Sequence, residues 1–596
     1  MEDSQARSCA VEPLQGASYA FEGHMGERIQ RNQNHWLLTA PQANPGMLAM
    51  FYDRDRQPQR DLVPWAGEFA GKYLTSAVLC YRFTRDKRLA DQIARFVAAL
   101  QGAQAENGYL GPFPKDQRLI GKTANGEHDT WDLWGHYHTI LGLLLWHQES
   151  GDARALKTAM GIGDLVCDTF LDTGRRVLDA GAEEMNQAIS HGLCLLYQET
   201  GIERYLAMAR EVERDWQTPP SGDYVRSALA GTPFYEMPKP RWESLHSVQA
   251  ILTLYEITGH ERYRKAFEAI WRSIRDGDRH NTGGFSSGEA ATGNPYDPRP
   301  IETCCTVAWM ALSVDMLRLS GDPRVADELE LSTFNATLGA QSPSGRWWTY
   351  NTPMDGVRRA SAHEIVFQAR DGTPELNCCA VNGPRSLGML SEWAIVQGAL
   401  GLALNYYGPS TITAPMEEGG TLTLRQDTSY PLDGHIQISI RRHGPETNVS
   451  LGLRVPAWSH STSVRVNGQP LPTPQPGSYV WLERPWKTGD KIELELDMRP
   501  RTWIGERDAA GKVSLYSGPL LLAYDRWLNT MDPDDVPSIA PQQLHLKRID
   551  VSVPTAEPWV AYEAHAADGT RLVLCDFASA GQAGSPYRTW LPLAGT

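Results

Sequence analysis

Over roughly the first 400 residues, apolar positions recur at helical spacing and come as pairs of runs. SAVLCYRF, LGLLLWHQE, LCLLYQE, AILTLYEI and ALSVDMLRL each lead into one short pattern: Ser or Thr, then Gly or Arg, two further residues, then Arg. Its copies are TRDKR (84–88), SGDAR (150–154), TGIER (200–204), TGHER (258–262) and SGDPR (320–324). Further apolar segments, among them ARFVAALQ, GDLVCDTF and KAFEAIWRSI, lead out of it. A glycine at that place closes a helix in a left-handed cap, and the acidic residue or proline after it opens the next helix. The repeating unit is therefore an αα-hairpin, with a sixth copy expected in the N-terminal or 323–400 region. Six hairpins in a ring make an (α/α)6 barrel. The alternative is an open helical solenoid. Irregular hairpin spacing, with long loops between, favours the closed ring, because such loops build one functional face.

Near residue 400 the period changes from helical to two. TLTLRQDTSYP, GHIQISIRRH, NVSLGLRVPAW, STSVRVNGQPL, SYVWLERPW and KIELELDMRP alternate apolar and polar residues between turn signals, and VSLYSGPLLLAYD and RLVLCDF continue the pattern. This predicts an antiparallel β-sandwich region. The expected architecture is α+β multidomain: an (α/α)6 barrel over 1–400, then β-sandwich modules over 401–596, one or two in number.

Composition narrows the partners. The net charge of −15 is spread without long runs, which argues against nucleic acid or an anionic membrane as partner. No segment approaches the roughly 20 apolar residues that span a bilayer. The N-terminus, MEDSQARSCAVEPL, has no apolar stretch of signal-peptide type, so a cytoplasmic location is expected unless a secreted form has been trimmed. The 19 Trp and 22 Tyr suit stacking on sugar rings, although a large core also consumes them.

The cysteines change the picture most. Nine is odd and sparse for this length, unlike a disulfide scaffold. Cys80, Cys167 and Cys194 sit in apolar helical runs and read as inert core residues. Four of the others form two adjacent pairs, in IETCC (301–305) and NCCAVNGPR (377–385). Glu302, Cys304, Cys378 and Cys379 make a tetrahedral zinc set of three thiolates and a carboxylate, with a strained vicinal disulfide or plain core packing as alternatives. Two adjacent cysteines cannot share one face of a strand, so 378–379 is expected in a tight loop.

The order ETC then, far downstream, CC-x-x-N resembles glycoside hydrolase family 127, the β-L-arabinofuranosidase family. The likeness extends through GHYHTILGLLLWHQESGD (135–152), ISHGLCLLYQETG (189–201), LHSVQAILTLYEITG (245–259) and SSGE (286–289), and then RVPAW (454–458), VNG (466–468) and SGPLLLAYD (517–525). It implies a retaining exo-glycosidase acting on a terminal β-L-arabinofuranoside or a related sugar, within an oligosaccharide or glycoside. It implies Cys378 as nucleophile and Glu289 as general acid/base. Glu302, Cys304, Cys379 and the resting Cys378 would hold Zn²⁺. It also implies a sugar pocket lined by His136, His191 and His246, with Tyr350 close to the nucleophile. His128 and His138 gain no such support; Glu68 and Trp65, in PWAGEFAGKY, are further candidates for the pocket.

The chemistry is coherent. Most retaining glycosidases use two carboxylates. A cysteine in place of one must be a thiolate at neutral pH, and a coordinating metal deprotonates a thiol. Three thiolates and a carboxylate carry −4 against +2 from the metal, leaving about −2, which favours positive charge developing at an anomeric carbon. Two rivals remain at this level. A lyase or unsaturated-uronide hydrolase on the same barrel would not need clustered thiols, and a non-catalytic zinc-stabilised carbohydrate-binding protein would not need Glu289. A homodimer is left open, and Cys305 is unassigned.

Overall fold

The computed structural model describes residues 9–120, 130–359, 377–417, 419–551 and 557–595. His128 and the chain just before Asn377 lie outside the described residues. The long helices are α1 (Gly23–Asn32), α2 (Glu68–Thr84), α3 (Lys87–Ala103), α4 (Asp132–Ser150), α5 (Ala153–Phe170), α6 (Ile189–Thr200), α7 (Glu203–Asp215), α8 (Ser244–Thr258), α9 (Glu261–Gly277), α10 (Thr303–Ser320), α11 (Pro323–Leu331) and α12 (Cys378–Gly388).

The shared signature forms the turns between paired helices. Gly151 and Gly321 take left-handed caps at φ 72° and 61°, while Asp152 and Asp322 cap the following helices by accepting from Arg154 N and Arg324 N. In TRDKR, Arg85 takes the left-handed place itself, at φ 51°.

α2, α4, α6, α8, α10 and α12 each pack against the next, and α12 returns to α2, so the ring is closed rather than a solenoid. These inner helices are buried almost all round, whereas outer helices carry one apolar stripe, as in Tyr263, Ala266, Phe267, Ile270, Trp271 and Ile274 of α9. The sixth position of the two rings is filled from distant parts of the chain. α12 supplies the inner place, and α1 the outer one: Arg28 donates to the Leu338 and Gln341 carbonyls beyond α11, and Gln33, just past α1, donates to Asp86 at the start of α3.

The β region also recruits the N-terminus. One five-stranded sheet orders Val11–Pro13, Ile395–Gly398, Gly401–Leu404, Val449–Val455 and Ser478–Arg484, and a seven-stranded sheet ends on Ser18–Phe21 beside Ser410–Pro415. Strands within residues 11–21 and 395–398, on the near side of residue 400, thus join these sheets. The short N-terminal strands carried no clear two-residue period. The sheets are not wholly antiparallel either, since Gly401–Leu404 pairs parallel with Val449–Val455. A third sheet runs from Arg501–Ile504 to Leu591–Pro592 and takes in Gly356–Val357 from the barrel side. Among the described residues no helix is long and apolar enough to cross a membrane.

Candidate active site

The inner helices begin at one end of the barrel, and both cysteine pairs lie at such beginnings. Ile301–Glu302 is a two-residue strand paired with Asn351–Thr352, and α10 starts at once, placing Cys304 in its first turn. Cys378 and Cys379 open α12, whose N-cap Asn377 accepts from Ala380 N at 2.9 Å. The tight loop expected for 378–379 is thus a helix N-terminus. There adjacent side chains can converge on a cluster, and the positive end of the helix dipole faces the sulfurs.

The four donors converge. Cys379 Sγ lies 3.4 Å from Glu302 Oε1 and 3.5 Å from Cys304 Sγ, and Cys378 Sγ lies 3.8 Å from Glu302 Oε1 and 3.9 Å from Cys379 Sγ. All four ligand atoms fall within 4.8 Å of one another, and all four residues are buried. A tetrahedral zinc, with bonds of about 2.3 Å to sulfur and about 2.0–2.2 Å to oxygen, separates its ligands by about 3.5–3.8 Å. The set therefore fits a tetrahedral metal, and the cysteines are free, which removes the vicinal disulfide.

The surroundings support one negative charge on these sulfurs. The Cys304 thiol lies well below its ordinary pKa. Burial opposes this, but hydrogen bonds from Cys378 and Cys379, the Lys72 ammonium and the Asn382 amide outweigh it. Lys72 Nζ is 3.9 Å and Asn382 Nδ2 3.4 Å from Cys304 Sγ. Burial, with the charge of Cys304, holds Glu302 well above the usual carboxylate range. Cys305 stays outside the four and donates to Glu302 Oε2 at 3.7 Å.

Glu289 comes from a neighbouring extended segment. Ser287 bridges to Ile301, Arg241 bridges to Ala290, and Trp242 N donates to Glu289 O, so Glu289, Glu302 and Tyr350 sit on adjoining strips of backbone. Tyr350 donates its hydroxyl to Glu289 Oε1 at 2.9 Å, and Arg241 donates to Glu289 Oε2 at 2.9 Å. Arg241 also holds Glu243, whose carboxyl burial pushes up to about 7 against the pull of that guanidinium.

The histidines divide. The Tyr137 hydroxyl bonds His191 Nδ1 at 3.1 Å and His246 Nδ1 at 2.9 Å, drawing these two together. His136 does not join them: its Nε2 accepts from Leu110 N at 3.0 Å and its Nδ1 meets Asp132 O at 2.7 Å, so both nitrogens are satisfied by backbone. His138 packs against Trp134 and His246 instead, with neither ring nitrogen partnered among the described residues. Two residues along a helix turn the side chain by about 200°, which is why one of the pair faces the group and the other does not.

Glu68 is buried, receives Trp134 Nε1 and pairs with Lys72 at 2.8 Å, while Trp65 lies against Trp131. The sequence did not single out Lys72, Tyr137, Arg241 or Asn382, and His138, set aside there, packs on the histidine group after all. For Lys72 the spacing Glu68-x-x-x-Lys72 was the available signal, since residues four apart share a helix face.

The profile of the β-L-arabinofuranosidase GH127 catalytic domain matches residues 26–392, and that of the family's middle domain matches 401–498. A non-reducing end β-L-arabinofuranosidase of Bifidobacterium longum subsp. longum is 25% identical over 509 residues, covering 77% of this chain and 75% of that protein. In fold, the chain superposes on a solved β-arabinofuranosidase of family 127 with TM-score 0.80 at 20% identity, covering 98% of each chain. It superposes on a family 127 β-L-arabinofuranosidase from Geobacillus stearothermophilus T6 with TM-score 0.77 at 18% identity, covering 97% of this chain and 100% of that one. The chain belongs to the β-L-arabinofuranosidase family of glycoside hydrolases, family 127, and carries its catalytic and middle domains.

Proposed function

We propose that the protein is a retaining exo-glycosidase that releases a terminal β-L-arabinofuranosyl residue, with Cys378 as nucleophile and Glu289 as general acid/base. The observation that carries this reading is the convergence of Glu302, Cys304, Cys378 and Cys379 with ligand atoms within 4.8 Å, with the Glu289 carboxyl held on an adjoining strip of backbone by Tyr350. Zinc bound by those four residues would supply the positive charge that keeps their thiols ionised at neutral pH.

The chain's own residues then divide the work. Cys378 Sγ attacks the anomeric carbon as the bond to the leaving oxygen breaks. Glu289 gives its proton to that oxygen. Glu289, now a carboxylate, takes a proton from water, whose oxygen displaces the sulfur. Configuration is retained because the anomeric carbon is displaced twice. Tyr350 and Arg241 hold the Glu289 carboxyl in place, and His191, His246 and His138, with Tyr137, offer polar groups suited to sugar hydroxyls.

Two measurements test this reading. Elemental analysis of protein purified without added metal should give about one zinc per chain. A panel of nitrophenyl glycosides should show the L-arabinofuranoside turned over with retention. Full activity in metal-free protein, or no turnover of any furanoside, would end it.

A further inference from the structure

Deeper in the barrel, lined mostly from the later turns of the inner helices but also by His191 near the start of α6, lies a cavity of about 260 Å³. Leu79, Leu144, Leu195 and Val314 form its apolar wall, and Arg385 lines it near the end of α12. Arg385 stands seven residues after Cys378, about 10 Å along the helix, and so lies apart from the metal cluster. It is 6% exposed. Its Nε has no hydrogen-bond partner among the described residues, and no carboxylate there comes within ion-pair distance of the guanidinium.

The other two arginines of the cavity are paired: Arg82 with Glu149 and Glu392, Arg318 with Glu12, Glu256 and Asp315. Those pairs also account for the acids that line the cavity, namely Glu12, Glu256, Asp315 and Glu392. Arg385 alone is left without a counter-charge. A guanidinium cannot shed its proton, and burying it unpaired is strongly unfavourable.

We infer that this cavity binds a small organic carboxylate, whose two oxygens take the planar fork of Arg385 while its short apolar body lies on the leucine and valine wall. The cavity is large enough for a body of a few carbons, which a bare inorganic anion would leave unfilled. His191 lines the same cavity and is tied through Tyr137 to His246, so an occupant sits one hydrogen-bond relay from the histidine group.

Thermal unfolding of the full-length holoenzyme tests this, in chloride-free buffer at constant ionic strength. Acetate, propionate and butyrate are titrated, with chloride and phosphate as controls. A ligand of the folded state raises Tm with its concentration. The expected result is a saturable rise with propionate or butyrate, at least tenfold weaker in apparent affinity for Arg385→Lys and absent for Arg385→Met. A rise that does not saturate, that persists in Arg385→Met, or that chloride or phosphate matches would overturn the assignment. If Arg385→Met does not fold, Leu144→Phe, which fills the cavity and keeps the guanidinium, decides in its place. Loss of the carboxylate response in that variant supports the site, and an unchanged response refutes it.

Discussion

Glu289 holds a left-handed backbone conformation, φ 71°, with a full side chain. Such a conformation costs about 1–3 kcal/mol and persists where the surroundings over-determine it. Here Tyr350, Arg241 and the bridged backbone of Arg241 and Ala290 do so. The arrangement fixes the Glu289 carboxyl beside Tyr350, and if it is the acid/base its removal should show as a change in leaving-group dependence. Glu289→Gln should slow alkyl and natural glycosides by about 10²–10⁴-fold. Activated nitrophenyl glycosides should instead release a burst of about one equivalent and leave a glycosyl mass adduct on the Cys378 peptide. Equal slowing of all leaving groups without a burst would return Glu289 to a structural role. Cys378→Ser should fold with an unchanged circular dichroism spectrum but show no turnover, and retained turnover would place the nucleophile elsewhere. A second acid near this loop sets a pH dependence. Asp278 accepts the Thr292 and Gly293 amides at 2.5 and 2.8 Å, and burial raises its carboxyl to about 6. A folded pKa above the unfolded value means that the contribution is full below about pH 4 and is lost as pH rises through about 6. Relative to Asp278→Asn, the wild type should therefore lose about 2–3 kcal/mol between pH 4 and pH 7. Urea melts across that range measure the difference, and a flat difference would remove Asp278 as the cause.

At the scale of elements, the site is built on helix beginnings. α10 and α12 bring their sulfurs to one point because each starts there, and α2 brings Lys72 to Cys304 one turn after Glu68. Lys72 and Glu68 are fully buried, and the ammonium lies 5.4 and 4.9 Å from the ring centroids of Trp134 and Trp242. Taking one partner from a buried pair leaves an uncompensated charge, at about 3–5 kcal/mol. Lys72→Met should lose about that much in denaturant melts, and Lys72→Met with Glu68→Gln should regain most of it. If the double variant is no more stable than the single one, the pair does not act as a unit.

At the scale of the whole molecule, the sandwich is fastened to the barrel by a buried arginine. Arg454, in the RVPAW stretch, is wholly buried and donates to Glu330 at 2.5 Å, to Asp327 of α11 and to the Asn405 carbonyl. Tyr430 donates to Glu330 as well, at 2.6 Å. Burial lifts the Asp327 carboxyl to about 7 even against Arg454. Arg454→Met should leave Glu330 buried without its cation and cost about 3–5 kcal/mol. Calorimetry of that variant should show two separated transitions where the wild type shows one. A single transition at a lower temperature would mean that the two parts remain coupled through their apolar contact.

The sequence alone determined the repeating hairpin, the change to strands near residue 400, and the residue types that meet in the glutamate–cysteine cluster. These are local properties: a period of 3.6 or 2, a Gly-Asp cap, and a pair of adjacent cysteines can each be read within a few residues. Only the tertiary structure decided that α12 closes the inner ring while α1, more than 300 residues away in the chain, fills an outer place against residues 338–341, and that residues 11–21 complete sheets made mostly after residue 395. It decided that Cys378 and Cys379 start a helix, because a cap by Asn377 and packing on α2 and α10 settle what two adjacent cysteines leave open. It separated His138 from His136, since the face of a wholly buried helix that meets the axis is not encoded in its hydrophobicity. It also placed Lys72 against Cys304, across 232 positions of chain, because charge pairing inside a closed barrel follows from which helix ends meet, and that is a property of the ring rather than of any one segment.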